Sequence, residues 1–212
     1  MIMETKKTAS ETVKNGRPII YFDMDGVLVD FASGIKAAGL SKEETERRTK
    51  EKSFDEIPGI FGMMKPTYGA VRGIKELARH YELHILSTAP WGNPSAWSDK
   101  LEWVKRYFDN TVEGYPNGNP FYKHVTITHR KDRVYGAVLV DDNLSKNGAD
   151  KFLGEKVWFH FRGNRHASCP ELLQMLDIKE VTNWWDLLDY LMPEKDESWK
   201  QYEDELFNDM LC

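Results

Sequence analysis

Five short apolar runs along the chain alternate with stretches of helical periodicity. They are "PIIYFD" from residue 18, "ELHILS" ending at Ser87, "HVTIT" ending at Thr128, "AVLVDD" ending at Asp142 and "KVWFHF" ending at Phe161. Each is rich in β-branched or aromatic residues and bounded by polar or turn-forming positions, which predicts a buried strand. Between them, "GAVRGIKELARHY" places Val71, Ile74, Leu77 and Ala78 on one helical face. "SAWSDKLEWVKRYF" likewise groups Trp97, Leu101, Val104 and Phe108, and "NWWDLLDYL" predicts a closing helix with Trp184, Leu187, Leu188 and Leu191 inward. Strands alternating with amphipathic helices predict an α/β fold: a Rossmann-like, doubly wound, mostly parallel sheet covered on both faces.

The same pattern divides the chain. Residues 1–17 are polar and aperiodic and read as a flexible leader, and the core takes 18–30 and 70–192. Residues 31–69 run from the charged "SKEETERRTKEK" to the Gly- and Pro-broken "SFDEIPGIFGMMKP", which predicts a small helical cap inserted after the first strand. The acidic stretch 193–212 reads as a tail.

Composition narrows the function. At 212 residues and 41% hydrophobic, the chain supports one cored domain with a small insertion. A net charge of −5 without a basic block argues against a nucleic-acid polymer or an anionic membrane as partner, but not against a small anion in a local pocket. Cys169 and Cys212 are too few for a disulfide framework. The N-terminus lacks an apolar core of signal-peptide length, and no apolar stretch is long enough for a bilayer, so a cytoplasmic globular protein is expected.

In open parallel sheets, ligands bind beyond the carboxyl ends of the strands. Here those ends carry "DMD", "ST", "THRK" and "DD". Asp23 and Asp25 taken alone fit a surface turn, because Asp-Gly is common turn chemistry. A turn tip, however, should not lie between "IIYF" and "VLV". Two carboxylates within about 4 Å repel by about 4 kcal/mol at an effective dielectric near 20, so such a pair needs a shared proton or a cation. Asp141 and Asp142 bring the count at one sheet edge to four, and a hard divalent cation with oxygen ligands, Mg²⁺ by preference, answers that charge. An EF-hand is excluded, since its alternating oxygen ligands do not continue past Gly26. Each other residue also has a plain reading. Ser87 and Thr88 could simply end a strand, Asp141 and Asp142 could cap a helix, and Lys123, Arg130 and Arg133 compete with Lys131 for any phosphate role.

"DMDGVLVDF" resembles the first motif of the haloacid-dehalogenase-like phosphatases, followed in that family's order by "HILST", a lysine in "THRKD" and "VLVDD". Asp30-Phe31, Gly69-Ala70-Val71, "KLEWVKRYF" and a lysine ten residues before the paired acids are similar to the 5′(3′)-deoxyribonucleotidases within it. The resemblance covers roughly residues 18 to 145. It implies a phosphomonoesterase with Asp23 as nucleophile, Asp25 as general acid and base, and Ser87 and Lys131 binding the phosphoryl group. Mg²⁺ would be held by Asp23, the Asp25 carbonyl and Asp142, with Asp141 beside it or sharing the task.

In that family an aromatic cluster between cap and core receives the base. Phe31 matches one member; Phe61 and Phe54 could supply stacking faces, although aromatics in a cap more often pack it against its core. Trp91 could line the pocket or only anchor its loop, and Thr88 and His129 stand near the same edge. The family pattern is not kept throughout: the cap is shorter, His129 stands where arginine is usual, and Asn143 follows the paired acids in place of arginine. The expected partner is a small phosphorylated substrate, a nucleotide, with no nucleic-acid polymer and no membrane; a homodimer is left open. A phosphosugar or other small metabolite is the nearest alternative substrate. A non-catalytic module of the same fold is the alternative from another class, and retention of Asp23, Asp25, Lys131, Asp141 and Asp142 speaks against it.

Overall fold

The computed structural model describes residues 13–14, 16–160 and 178–192. All five expected strands form: β2 (Arg17–Phe22), β5 (Glu82–Ser87), β6 (Val125–Ile127), β7 (Val138–Asp141) and β8 (Glu155–Phe159). Short alternation or length hid four more from the sequence pattern: β1 (Val13–Lys14), β3 (Val29–Asp30), β4 (Lys65–Pro66) and β9 (Lys179–Val181). The main sheet has the order β6-β5-β2-β7-β8-β9, every neighbouring pair parallel, with β1 antiparallel against β2.

β2 is central because the chain winds from it first through β5 to β6 and then, on its other side, through β7 to β9. That reversal places the crevice of the fold at the end of β2. Side chains alternate cleanly between the faces. Ile20, Phe22, Leu83, Ile85, Val138, Val140, Val157 and Phe159 pack in one cluster with three helices: α4 (Ala70–Leu77), α5 (Ser95–Phe108) and α6 (Trp184–Leu191). Ile19, Tyr21, Leu86, Leu139 and Trp158 pack on the other face with Leu144, Ala149 and Phe152 of the turns after β7.

The closing helix behaves as its pattern predicts, with Trp184, Leu187, Leu188 and Leu191 buried. The α5 pattern is corrected. Its buried positions are Ala96, Lys100, Trp103, Val104 and Phe108, whereas Trp97 and Leu101 are exposed. A charged residue thus occupies the centre of the buried face, and two apolar ones took its place in the periodicity argument.

Residues 29 to 66 contain α1 (Phe31–Ala37), α2 (Lys42–Glu51), α3 (Ile60–Met63) and the β3–β4 ribbon. α2 buries none of its residues. Its order comes from the Ser41 cap and from the Glu44 pairs with Arg47 and Arg48. Residues 1–12 and 15 of the leader and the 193–212 tail lie outside the described residues.

Candidate active site

β2 delivers Asp23 to the sheet edge, and its backbone N–H still bonds the Val140 carbonyl at 2.9 Å. The chain then doubles back at once: the Met24 carbonyl accepts from Val27, Leu28 and Val29, and Gly26 N–H bonds the Val29 carbonyl. Met24, Val27, Leu28 and Val29 are buried, so this loop is a piece of core and not a surface turn. Gly26 is required here. Its φ is +75°, and a Cβ would fall 2.5 Å from Asp142 Oδ2. Trp184 holds the loop from below, its indole N–H donating to the Val27 carbonyl at 3.1 Å and to Thr67 Oγ1 at 2.9 Å.

Each of the paired acids that follow β2 has its own lysine. Lys131 Nζ lies 3.0 Å from Asp23 Oδ2 and 2.6 Å from Asp141 Oδ2. Lys100 Nζ donates to Asp25 Oδ2 at 2.6 Å and to Ser87 Oγ at 3.0 Å. Both lysines are buried. Of the competing cations, Lys123 and Arg133 are exposed and Arg130 pairs with Asp132, so Lys131 alone enters the site. The sequence pattern assigned Lys100 no role. The only available signal was its spacing, four residues after Ala96 and four before Val104, on a face otherwise apolar.

The two aspartates are pushed apart electrostatically. Burial would raise Asp23, but Lys131, Lys100 and hydrogen bonds from Ser87 and Lys131 outweigh it and hold the carboxyl below its usual value. Burial raises Asp25 above its usual value, with Lys100 opposing and the Asp23 charge reinforcing. Paired carboxyl groups with opposite shifts are the arrangement that separates a charged nucleophile from a proton donor.

Asp141 is fully enclosed, one oxygen taken by Lys131 and the other by the Asn143 N–H at 2.8 Å. Asp142 is half-buried, and burial together with the charges of Asp141, Asp23 and Asp25 raises its carboxyl well above the usual value. Carboxylate oxygens of Asp23, Asp141 and Asp142 lie within 4.8 Å of one another. Four carboxylates face two ammonium groups, leaving a formal excess of two negative charges. Asp25 Oδ1 is buried with no hydrogen-bond partner. An all-oxygen donor set with that charge fits a divalent cation such as Mg²⁺.

The remaining expected residues divide. Thr88 follows Ser87 and is half-buried. Phe31 is half-buried and meets the edge of Phe61, ring centroids 6.1 Å apart. Phe61 is 2% exposed, with Lys100 Nζ 4.5 Å over its ring, so it lies beneath the lysine and presents no open face for stacking. His129 is exposed, and its Nε2 is 3.0 Å from the Ala89 carbonyl, tying it to the loop after β5. Trp91, on that loop, is 89% exposed, which excludes an anchoring role.

A six-stranded parallel sheet with paired acids just beyond the end of its central strand defines a haloacid-dehalogenase-like hydrolase. YfnB from Bacillus subtilis, solved bound to magnesium and provisionally assigned as a HAD-hydrolase, shares this fold at TM-score 0.57 and 12% identity, over 82% of this chain and 98% of that one. The model of the family described as "5' nucleotidase, deoxy (Pyrimidine), cytosolic type C protein" matches residues 34–172, and the chain belongs to that family. It is accordingly a phosphoric monoester hydrolase. A Vibrio phage KVP40 protein provisionally named a 5′(3′)-deoxyribonucleotidase is 43% identical over 146 residues, 69% of this chain and 78% of the relative. The human 5′(3′)-deoxyribonucleotidase, cytosolic type, is 24% identical over 196 residues, 80% of this chain and 92% of that one.

Proposed function

We propose that the protein is a Mg²⁺-dependent 5′(3′)-deoxyribonucleotidase that hydrolyses nucleoside monophosphates through an aspartyl-phosphate. The observation that carries the mechanism is the opposite shift of Asp23 and Asp25 beside separate lysines. Asp23, charged and fixed by Lys131 and by the Met24 N–H at 2.7 Å, attacks phosphorus while the ester oxygen departs. Asp25 gives that oxygen its proton, then takes one from the water that cleaves the acyl phosphate, restoring Asp23 and releasing phosphate. Lys131, Lys100 and Ser87 balance and position the phosphoryl oxygens. Asp23, the Asp25 carbonyl and Asp142 would hold the cation, which supplies charge neutralisation between nucleophile and phosphate. Asp141 serves instead to fix Lys131, because both of its oxygens are already engaged.

The names of the relatives support the nucleotide as substrate, and the "cytosolic type" name of the human relative supports a cytoplasmic location. Among the described residues no helix is long and apolar enough to cross a membrane. The helical segment 31–69 acts as a cap over the strand ends, with Phe31 and Trp91 as the faces open to a base. A panel of nucleoside monophosphates and phosphosugars, assayed with and without Mg²⁺, tests this reading. Preferential, Mg²⁺-dependent release of phosphate from deoxynucleotides is expected. A flat profile across the panel would sink the substrate assignment.

A further inference from the structure

On the second face of the sheet, opposite α4, α5 and α6, the row Tyr21–His84 in β2 and β5 continues to His124, which immediately precedes β6. Glu82 stands two residues before His84 and therefore on the same face. Glu82 Oε1 is 2.8 Å from His84 Nε2, and the His84 and His124 rings stack with centroids 4.1 Å apart and planes within 3°. One ligand atom from each of the three residues lies within 4.8 Å of the others, and all three are half-buried. Tyr21 walls the cluster on the β2 side, its ring centroid 5.1 Å from that of His84.

We propose that Glu82, His84 and His124 form a second metal site, selective for Zn²⁺ or a similar borderline cation and separate from the catalytic carboxylates. The donor set decides the cation. Two imidazoles and one carboxylate match Zn²⁺ with a fourth position open to water, whereas Mg²⁺ prefers oxygen ligands alone. Placement supports a clamp function. The ligands join the start of β5 to the start of edge strand β6, and His84 stands about 10 Å along the strand from Ser87. A cation here would fasten the edge strand whose continuation carries Lys131.

Parallel rings cannot both aim an in-plane lone pair at one ion, so binding turns one imidazole out of the stack. His124 is the ring that turns. It sits at the sheet edge, and its Nδ1 contact with the Leu83 carbonyl is long at 3.3 Å, while His84 is held between Tyr21 and Glu82.

The test is thermal unfolding of the full chain in saturating Mg²⁺ with added ZnCl₂, together with the visible spectrum of the Co²⁺-substituted protein. A saturable rise in Tm and an intense tetrahedral Co²⁺ band are expected, both kept in Asp142→Asn and lost in His124→Gln and in Glu82→Gln. Circular dichroism and retained Mg²⁺-dependent turnover show that the two latter variants are folded. No rise in Tm, a rise that survives in both variants, or loss only in Asp142→Asn overturns the site. The wild-type Co²⁺ spectrum needs no variant: a weak octahedral band alone has the same consequence.

Discussion

Lys100 Nζ reaches across from helix α5 to lie 2.6 Å from Asp25 Oδ2, placing a buried ammonium beside the proposed general acid. Lys100 opposes the rise that burial imposes on Asp25. In Lys100→Met the Asp25 carboxyl therefore climbs further, and a charged donor to the proposed phosphoryl site disappears. Loss of one such donor costs about 10²–10³ in kcat. The expected result is a loss of that size with the alkaline limb of the kcat/KM profile displaced to higher pH. An unchanged profile would remove Lys100 from the acid's control.

Asp23→Asn keeps the size and the Met24 contact but removes the charge of the proposed nucleophile. Turnover should fall by about 10⁴-fold or more, as when a covalent nucleophile is lost, with an unchanged circular dichroism spectrum. No phosphoprotein should accumulate on rapid acid quench, in contrast to the parent enzyme. Near-normal turnover in this variant would reassign the nucleophile.

The strand ends were legible because a carboxylate that closes a buried apolar run must find its compensating charge there. Asp23, Asp141 and Lys131 do converge, and Asp25 lies near enough to feel the charges of Asp23 and Lys131. Lys100 was not legible, since a lysine inside an amphipathic helix reads as solvated unless its partners on other strands are known. The same ignorance put Trp97 and Leu101 in the core, although both are exposed. β9 escaped because its three residues give too short a run, two exposed and one buried. For Phe61 the position alone leaves stacking face and cap-to-core packing both open; its burial under Lys100, which favours packing, depends on how α3 meets α5, and no local pattern encodes that.

Gly73 carries a prediction about stability. It faces the Trp184 ring so closely that a Cβ would stand 2.4 Å from the indole Cε3. Trp184 stacks on Phe22 with centroids 5.7 Å apart and bonds the Val27 carbonyl under the Asp25 loop, so it has no room to withdraw. Gly73→Ala gains helix propensity but overpacks this contact, and a net loss of about 1–3 kcal/mol is expected. Urea unfolding should show a lower midpoint with an unchanged m-value. A more stable variant would mean the helix can shift freely.

The last prediction concerns pH and metal together. Burial, opposed by Lys131, raises Asp141 from 3.8 to about 6, and Asp142 and Asp25 are raised as well. A carboxyl whose folded pKa exceeds its unfolded value binds its proton more tightly in the native state. The metal-free protein should therefore lose stability as pH rises from about 4 through 6, by on the order of 3 kcal/mol for Asp141 alone. Asp23, held low, acts in the opposite sense, but only below the unfolded carboxylate range. A bound divalent cation reverses the trend by favouring the charged carboxylates. Melting in EDTA should thus give a Tm that falls between pH 4 and 6, and saturating Mg²⁺ should raise Tm most above that window. If Tm in EDTA climbs through the same interval, the carboxylates are not uncompensated, and the charge argument for the cation fails.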